Sequence, residues 1–430
     1  MRTDPGPSSG RATVRPTVLA ATHYPPMPGG SSRSCSLLWR EIARRGHRMI
    51  ALGPITPADR ASGLDAPGAL PESMTVARYE VPYFHLSPYR LAEFDRYQQI
   101  EHDGIRKALP GLVDRFRPDV LVAAHETLGE AVIDCARAKG LPLALMLRGS
   151  PTWQIVTDQY PADRTVAYLD LYRRADVVLA VGAYMAEGLR ERGVPGVVHI
   201  PNFLDLTTFA PGPRDPVLAA RYGIEPDDVV VLHASVMQSR KRPEDVLRSA
   251  AVTLPRAPNL LYLFVGGEER GRALEETSRR QGTAARTRFV DRVSYEEMPD
   301  HIRLADVVVL ASAGEGVARV SLEAQACGRV LVSSDIPAAR EVVEHGRTGL
   351  LFPLGSVEGL ADRITTAHRD ATLRERIGHA ARQRMAPHEI GRVVDRYVEV
   401  LSDLARGRVG AAGSGSARAA AAGSARASSS

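Results

Sequence analysis

Residues 307–333 have the sequence VVVLASAGEGVARVSLEAQACGRVLVS, and this stretch indicates the fold class. The apolar run at 307–311 is typical of a buried strand in a parallel sheet. A loop with two glycines follows at 314–316, then helical periodicity over 317–327 and another apolar run at 330–333. This strand–loop–helix–strand unit predicts part of a doubly wound parallel sheet.

The same alternation extends over most of the chain in both directions. A segment rich in Pro and Asp at 201–226 is typical of a linker and separates two sets of elements. The predicted strands are 17–21, 48–52, 119–124, 142–147 and 175–181 before it, and 229–234, 260–266 and 288–290 after it. The further predicted helices are 32–45, 128–139, 244–253, 272–280, 295–304, 338–344 and 390–404. We therefore predict an α/β protein with two doubly wound, Rossmann-like domains facing a crevice.

The length of the chain agrees with two domains. Its 430 residues exceed the roughly 250–300 at which one hydrophobic core stops growing. The predicted division is a tail at 1–15, an N-terminal domain at 16–205, a linker at 206–226, a C-terminal domain at 227–388, a helix at 389–405 that packs back on the N-terminal domain, and a tail at 406–430. Both tails are predicted to be disordered because they contain few large apolar residues to bury.

Charge and composition exclude several classes of protein. The net charge is +5, but three arginines and one aspartate in 1–15 and four arginines in 406–430 account for more than this excess. The remaining chain is near neutral, so nucleic-acid binding is not predicted. The chain has 44% apolar and 24% charged residues, which is typical of a globular protein. Its three cysteines are far apart, so neither a disulfide framework nor a structural zinc site is expected.

The sequence predicts a cytoplasmic location. No apolar run reaches the roughly 18 residues of a membrane span, and the first residues do not resemble a signal peptide. Four arginines at 40–48 leave a weak peripheral membrane contact as a second hypothesis.

Two glutamates near the glycine-containing loop are candidates for function. Glu315 lies in the loop and Glu323 lies eight residues later, about two helical turns, so both can face one crevice. A helix that begins near Gly316 would present free N–H groups to a phosphate. The alternatives are surface acids and a plain turn. The acids and histidines have no metal-ligand spacing, so no metal is predicted.

The segment 313–353 resembles the E-x₇-E signature of retaining glycosyltransferases of the GT-B type, in particular glycosyltransferase family 4. The similarity continues through LEAQACGRVLVSSDIPAAREVVEHGRTGLLFP at 322–353. The resemblance implies that Glu315 contacts the donor sugar and Glu323 the nucleotide ribose, with Gly316, Val317 and Ala318 in the donor-binding loop. This sequence departs from the family at 317–319, where Phe-Gly-Leu is usual.

A basic segment, HASVMQSRKRPEDVL at 233–247, resembles the family segment in which an arginine and a lysine hold the donor diphosphate. Lys241 matches the lysine, whereas Ser235 or Gln238 stands at the position of the arginine. Arg240 or Arg242 is the predicted substitute. A solvated basic turn is the alternative interpretation.

The N-terminal part resembles the family at fewer places. The segment PPMPGGSSRSCSLLWREIARRGHRM at 25–49 is similar to the opening strand–loop–helix, in which Gly29 and Gly30 would let the backbone approach the donor phosphates. His125 resembles a histidine that faces the donor sugar, although a structural histidine is the alternative. The segment at 200–209 is similar to the Pro-Asn-x-x-Asp segment before the interdomain linker.

The resemblance implies an enzyme that moves a hexose from a nucleotide diphosphate sugar, a UDP or GDP sugar, to an acceptor hydroxyl with retention of the α configuration. Its catalytic residues would be Glu315, His125 and Lys241, with no cofactor beyond the donor. The donor would bind to the C-terminal domain and the acceptor to the N-terminal domain. Aromatic residues concentrated at 79–97 could line the acceptor pocket or form core.

Two other functions are compatible with the same sequence features. A nucleotide-sugar epimerase of the same architecture and a non-catalytic sugar-nucleotide-binding protein are the alternatives. A dinucleotide-dependent dehydrogenase is disfavoured because no G-x-G-x-x-G follows an early strand.

Overall fold

The computed structural model describes residues 15–64, 69–84, 91–266 and 268–408. The chain divides into two compact units, and each is described by itself. Unit 1 comprises Met1–Met146, Asp170–Val178 and Arg396–Ser430, and unit 2 comprises Leu147–Leu169 and Leu179–Asp395. Most of the two predicted tails lies outside the described residues, so their disorder and the domain boundaries stay predictions.

The first sheet has seven strands and the order β3-β2-β1-β4-β5-β6-β7. Its strands are β1 (Val18–Ala21), β2 (Met49–Ile55), β3 (Met74–Glu80), β4 (Val120–Ala123), β5 (Leu143–Leu147), β6 (Val177–Ala180) and β7 (Val197–His199). Strand β1 pairs in parallel with both β2 and β4, so the chain reverses its winding direction at this central strand. The carboxyl ends of β1 and β4 therefore meet at one edge of the sheet.

Helices alternate with these strands, as a parallel sheet requires. They are α1 (Gly30–Arg44), α2 (Pro57–Ala61), α3 (Leu91–Phe116), α4 (Gly129–Lys139), α5 (Thr152–Val156), α6 (Ala162–Arg173) and α7 (Ala183–Glu191). Gly29 directly precedes α1 and has a φ of 116°, which a residue with a side chain rarely adopts.

The second sheet lies in unit 2, has six strands and follows the order β10-β9-β8-β11-β12-β13. Its strands are β8 (Val229–Ala234), β9 (Leu260–Val265), β10 (Thr287–Val290), β11 (Val307–Leu310), β12 (Val330–Ser334) and β13 (Leu350–Phe352). Both faces of β8 are buried: Val230 and Leu232 belong to one hydrophobic cluster, and Val229 and Val231 to another. Burial on both faces explains why these strands are continuous apolar runs in the sequence.

The helices that follow α7 complete the alternation. They are α8 (Pro216–Tyr222), α9 (Pro243–Thr253), α10 (Glu268–Arg280), α11 (Met298–Leu304), α12 (Arg319–Ala326), α13 (Pro337–Val342), α14 (Val357–Arg369), α15 (Ala371–Gln383) and α16 (Ile390–Ala405). The two parallel sheets with interleaved helices confirm the predicted α/β class with two Rossmann-like sheets.

The segment 206–212 is held by arginines of unit 2. Arg303 donates to the carbonyls of Thr208 and Ala210, and Arg382 donates to those of Leu206 and Phe209. This part of the predicted linker is thus anchored through its backbone, and α8 follows it.

Candidate active site

The sheet of unit 2 brings the predicted basic segment and the first glutamate together. Strands β8 and β11 are parallel neighbours, with Val307 opposite Val231. Because their carboxyl ends meet at one edge, the loop with Lys241 after β8 lies beside the loop with Glu315 after β11. The backbone N–H of Ala313 donates to the Arg240 carbonyl at 2.8 Å, which ties the two loops directly.

Two cations share the Glu315 carboxylate. Lys241 Nζ lies 2.5 Å and Arg240 Nη1 lies 2.6 Å from Glu315 Oε1. Arg240 Nη1 also donates to the Gly314 carbonyl at 2.5 Å. The side chains are largely withdrawn from solvent, with 9% of Glu315, 15% of Lys241 and 18% of Arg240 exposed. The charges of these three side chains sum to +1.

The pKa values of this cluster reflect that imbalance. Burial alone would raise the pKa of Glu315, but the charges of Lys241 and Arg240 outweigh it and hold the pKa at about 2. The pKa of Lys241 is lowered, because burial and the neighbouring Arg240 outweigh the attraction of Glu315. An additional anion at this place would relieve the repulsion between the two cations.

The structure distinguishes between the two predicted substitutes for the family's arginine. Arg240 contacts Glu315, whereas Arg242 Nε donates to the carboxylate of Asp245 in the first turn of α9. Arg242 has a φ of 50° at the start of that helix. Ser235 contacts the ring of His233, with 2.9 Å between Ser235 Oγ and Nε2. Burial lowers the pKa of His233 to about 4, so this ring is neutral at pH 7.

The loop at 314–318 is packed tightly on its backbone. A Cβ atom at Gly314 would overlap the ring of Trp153, and one at Gly316 would lie 2.7 Å from the Arg148 carbonyl oxygen. Only glycine fits these two places, which explains the Gly-Glu-Gly sequence. The path of the loop is therefore fixed by packing as well as by charge.

Two polar side chains hold the carbonyls of this loop. The Tyr184 hydroxyl donates to the Glu315 carbonyl, and Asn202 Nδ2 donates to the Val317 carbonyl at 2.8 Å. Burial and the nearby Glu341 and Glu315 raise the pKa of Tyr184, so its hydroxyl stays protonated as a donor. Sequence reasoning gave neither residue a role. The Pro-Asn-x-x-Asp similarity could have singled out Asn202, whereas no signal in the sequence marked Tyr184.

Helix α12 begins at Arg319, two residues after the start of the helix predicted over 317–327. The start is later because Gly316 packs against the Arg148 backbone and Ala318 is extended, with φ −69° and ψ 128°. Val317 and Ala318 are buried in the hydrophobic core. Their side chains are turned away from solvent, so a donor could contact them through the backbone.

Glu323 lies in the second turn of α12 with 9% of its side chain exposed. Arg319 Nε, from the same helix, donates to Glu323 Oε1 at 3.3 Å. Glu323 and Glu315 thus belong to one loop and helix but to different ion clusters.

Gly29, Gly30 and His125 belong to unit 1. A Cβ atom at Gly29 would meet no atom within 4 Å, so the backbone there is open to a ligand. His125 follows β4, its ring centroid is 4.6 Å from that of His23 after β1, and its Nδ1 is 2.9 Å from Thr127 Oγ1. The adjacent ends of β1 and β4 thus carry a pair of histidines.

The predicted aromatic segment is divided between core and surface. Tyr79 and Tyr97 are buried, and the Tyr79 hydroxyl donates to Glu101 Oε1 at 3.2 Å. Tyr83 is 43% exposed, with its ring centroid 5.7 Å from that of Tyr97. His85 and Tyr89 lie outside the described residues.

The described residues contain neither a metal-binding group nor a membrane-spanning helix. Within 15–64, 69–84, 91–266 and 268–408, no three His, Cys, Asp or Glu residues come together in a group that could hold a metal ion. Over the same ranges, no helix is long and apolar enough to cross a membrane.

Comparison with known proteins identifies the family and supports the fold. Residues 216–384 match the family model described as glycosyl transferases group 1, and residues 29–202 match the glycosyl transferase 4-like domain. The two models together match most of the chain and include Glu315, Glu323, Lys241, Gly29 and His125. The chain belongs to glycosyltransferase family 4, and its two sheets have the GT-B fold.

The chain is similar to individual proteins of two kinds. A D-inositol 3-phosphate glycosyltransferase of Kribbella flavida is 35% identical over 198 residues, which is 44% of this chain and 46% of that protein. The chain thus aligns with about half the length of this relative. The N-acetyl-α-D-glucosaminyl L-malate synthase of Bacillus anthracis is 26% identical over 90% of this chain and 97% of its own.

A solved structure supports the fold. The Anabaena protein HepE, crystallised with UDP-glucose, superposes with a TM-score of 0.71 at 19% identity and covers 90% of this chain and 100% of its own.

Proposed function

We propose that this glycosyltransferase moves a hexose from a nucleoside diphosphate sugar, a UDP or GDP sugar, to an acceptor hydroxyl with retention of the α configuration and without a bound metal. The observation that carries the proposal is the convergence of two buried cations, Lys241 and Arg240, on the Glu315 carboxylate in the loop after β11. A diphosphate supplies the missing negative charge, and its charge grows when the bond to the sugar breaks.

In this proposal each charged residue has a distinct role. Lys241 and Arg240 stabilise the departing diphosphate, and Glu315 holds both cations in place and contacts the sugar. Glu323 accepts hydrogen bonds from the ribose hydroxyls. The backbone N–H groups before and within the first turn of α12 add to the binding of phosphate. Gly29, Gly30 and His125 of unit 1 remain proposed contacts of the donor, on the strength of the family resemblance.

The chemical step balances without a side-chain base. The bond between the anomeric carbon and the leaving phosphate oxygen breaks while the acceptor oxygen forms a bond on the same face of the sugar. The acceptor proton passes to the departing phosphate oxygen. The nucleoside diphosphate and the new glycoside are the two products.

The test is turnover with a panel of UDP, GDP and ADP sugars, with and without acceptor hydroxyls, followed by mass spectrometry. The names of the relatives suggest a cyclitol phosphate and a hydroxy acid for the acceptor panel. The proposal expects a glycoside that appears only with acceptor, and the anomeric coupling constant in its NMR spectrum should report the α configuration. A β product would contradict retention.

The same experiment separates the alternatives. An epimerase would convert the donor without acceptor, and a non-catalytic binding protein would leave every donor unchanged. The relatives carry the names of a glycosyltransferase and a glycosyl-transferring synthase, which favours a transferase. Retained activity in excess chelator would support independence from metal, whereas activity that is lost and then restored by magnesium would contradict it.

A further inference from the structure

Arg319, the first residue of α12, is held in place by two partners. Its Nε donates to Glu323 Oε1 at 3.3 Å, and its Nη2 donates to the Tyr295 hydroxyl at 2.7 Å. The guanidinium carbon lies 5.2 Å from the centroid of the Tyr295 ring, and that ring lies 5.2 Å from the ring of Phe209. The side chain of Arg319 is only 13% exposed, so its orientation is defined by the protein and not by solvent.

Helix electrostatics do not explain an arginine at this place. A cation in the first turn faces the positive end of the helix dipole, which is unfavourable. An arginine four residues before a glutamate is also the weaker of the two possible orders for such a pair. Neither the helix dipole nor the order of the two residues favours Arg319 at this position. Its contacts with Glu323 and Tyr295 therefore need another explanation.

The environment of Glu323 supplies that explanation. An ionised carboxylate that is 9% exposed requires a partner, and its two oxygens together can accept about four hydrogen bonds. The guanidinium that contacts Glu323 Oε1 restricts the rotation of the carboxylate. Two neighbouring hydroxyls of a ribose can donate to a carboxylate oriented in this way. A carboxylate that is already oriented binds ribose more tightly, because less conformational entropy is lost on binding.

We propose that Arg319 is a positioning residue that orients the Glu323 carboxylate for the ribose hydroxyls of the donor nucleotide, and that Tyr295 in turn orients Arg319. The inference rests on the proposed function, in which Glu323 binds ribose. It is a property of this chain, because the family's usual leucine at this position could make neither polar contact.

The test is the discrimination between ribose and deoxyribose nucleotides. Calorimetric titrations would measure the Kd of UDP and of 2′-deoxy-UDP, and of GDP and 2′-deoxy-GDP, for wild type, Arg319→Leu and Arg319→Lys. We expect Arg319→Leu to raise the Kd of the ribose nucleotide about tenfold, as for loss of a charged hydrogen-bond network, and the Kd of the deoxy nucleotide about twofold or less. The ratio of the two values should therefore fall, and lysine should restore it in part.

Two further variants control the experiment. Tyr295→Phe keeps the ring and removes the hydroxyl, so it should lower the same ratio by a smaller factor; it decides the question if Arg319→Leu does not fold. Arg279→Leu removes another arginine that pairs with a glutamate four residues away, at 2.6 Å, on the exposed side of α10. This matched variant should leave both Kd values unchanged.

The outcomes separate this inference from the proposed function. If Glu323→Gln lowers the ratio but Arg319→Leu and Tyr295→Phe keep the wild-type ratio, the role of Arg319 is disproved and the ribose site stands. Tighter UDP binding by Arg319→Leu would also overturn the inference, because it would mean that Arg319 competes with ribose. If Glu323→Gln leaves the ratio unchanged, or no nucleoside diphosphate binds wild type, the proposed ribose site and the inference fail together.

Discussion

Glu315 and Glu323 are eight residues apart in one loop and helix, yet their surroundings differ in charge. Glu315 faces both Lys241 and Arg240, whereas Glu323 is paired with Arg319 from its own helix. The charges of Glu315, Lys241 and Arg240 sum to +1, which in the proposed function suits an anion whose charge grows during reaction. Those of Glu323 and Arg319 sum to zero, which in the same proposal suits neutral hydroxyls. The difference suggests that one glutamate serves the chemical step and the other serves binding.

The largest effect is expected at the unbalanced cluster. Lys241→Ala should lower the turnover number on the order of 10²-fold, because it removes one preorganised charge that stabilises the leaving group. Initial rates at saturating donor would measure this. Lys139→Ala is the matched control, since Lys139 forms an exposed ion pair with Asp114 at 2.6 Å in unit 1. A turnover within about twofold of wild type would mean that Lys241 is misassigned.

Glu315→Gln should make the pH dependence of this cluster visible. The folded pKa of about 2 lies below the ordinary value of 4.5, so the carboxylate stabilises the fold above pH 4.5 and this contribution is lost as the pH falls toward 2. At pH 7 the variant should lose on the order of 1–3 kcal/mol of unfolding free energy, because two buried cations remain without their carboxylate.

Urea unfolding of wild type and Glu315→Gln at pH 7, 5, 4 and 3 would measure this difference. It should be constant above pH 5 and shrink below pH 4.5. If the difference in unfolding free energy between wild type and Glu315→Gln is the same at pH 3 and pH 7, the effect of the glutamine comes from its shape and not from the lost charge.

At the balanced cluster the effect should appear in binding. Glu323→Gln should raise the Kd of the donor about tenfold and change the turnover number by less than about threefold, because the ribose does not change during reaction. Calorimetry and saturation kinetics give the two quantities separately. The exposed Glu344, which pairs with Arg347 at 3.1 Å, provides the control Glu344→Gln. A loss confined to turnover would reverse the comparison between the two glutamates.

Much of the fold could be predicted from the sequence because the central strands are continuous apolar runs. The strand predicted at 229–234 has those bounds in the structure, as β8. Strand β3 was not predicted, because it is partly exposed and mixes polar with apolar residues. Helix α12 begins two residues after the predicted start at 317, because the tertiary packing of Gly316 has no local sequence pattern.

The candidate site was predictable only in part. Lys241, Glu315 and Glu323 could be identified because each occupies a position of the family motif. The different contacts of Arg240 and Arg242 could not be read from the sequence, because they depend on the backbone turn at Arg242 and on its ion pair with Asp245. Tyr184 and Asn202 were missed because their role is to hold backbone carbonyls, and such contacts have no sequence pattern.

The smallest expected effect tests whether the loop between the two glutamates matters apart from their charges. Asn202→Ala removes the buried hydrogen bond to the Val317 carbonyl, which should cost about 1 kcal/mol of unfolding free energy. Because Lys241, Arg240 and Glu315 keep their contacts in this variant, turnover should fall by no more than about threefold. Asn259→Ala is the control, since the Asn259 amide donates to the Asp227 carbonyl at an exposed position. Thermal unfolding and initial rates of both variants would decide the matter. If Asn202→Ala lowers turnover as strongly as Lys241→Ala, the backbone geometry of the loop controls the chemical step. The difference in charge between the two clusters is then not the cause of their different roles.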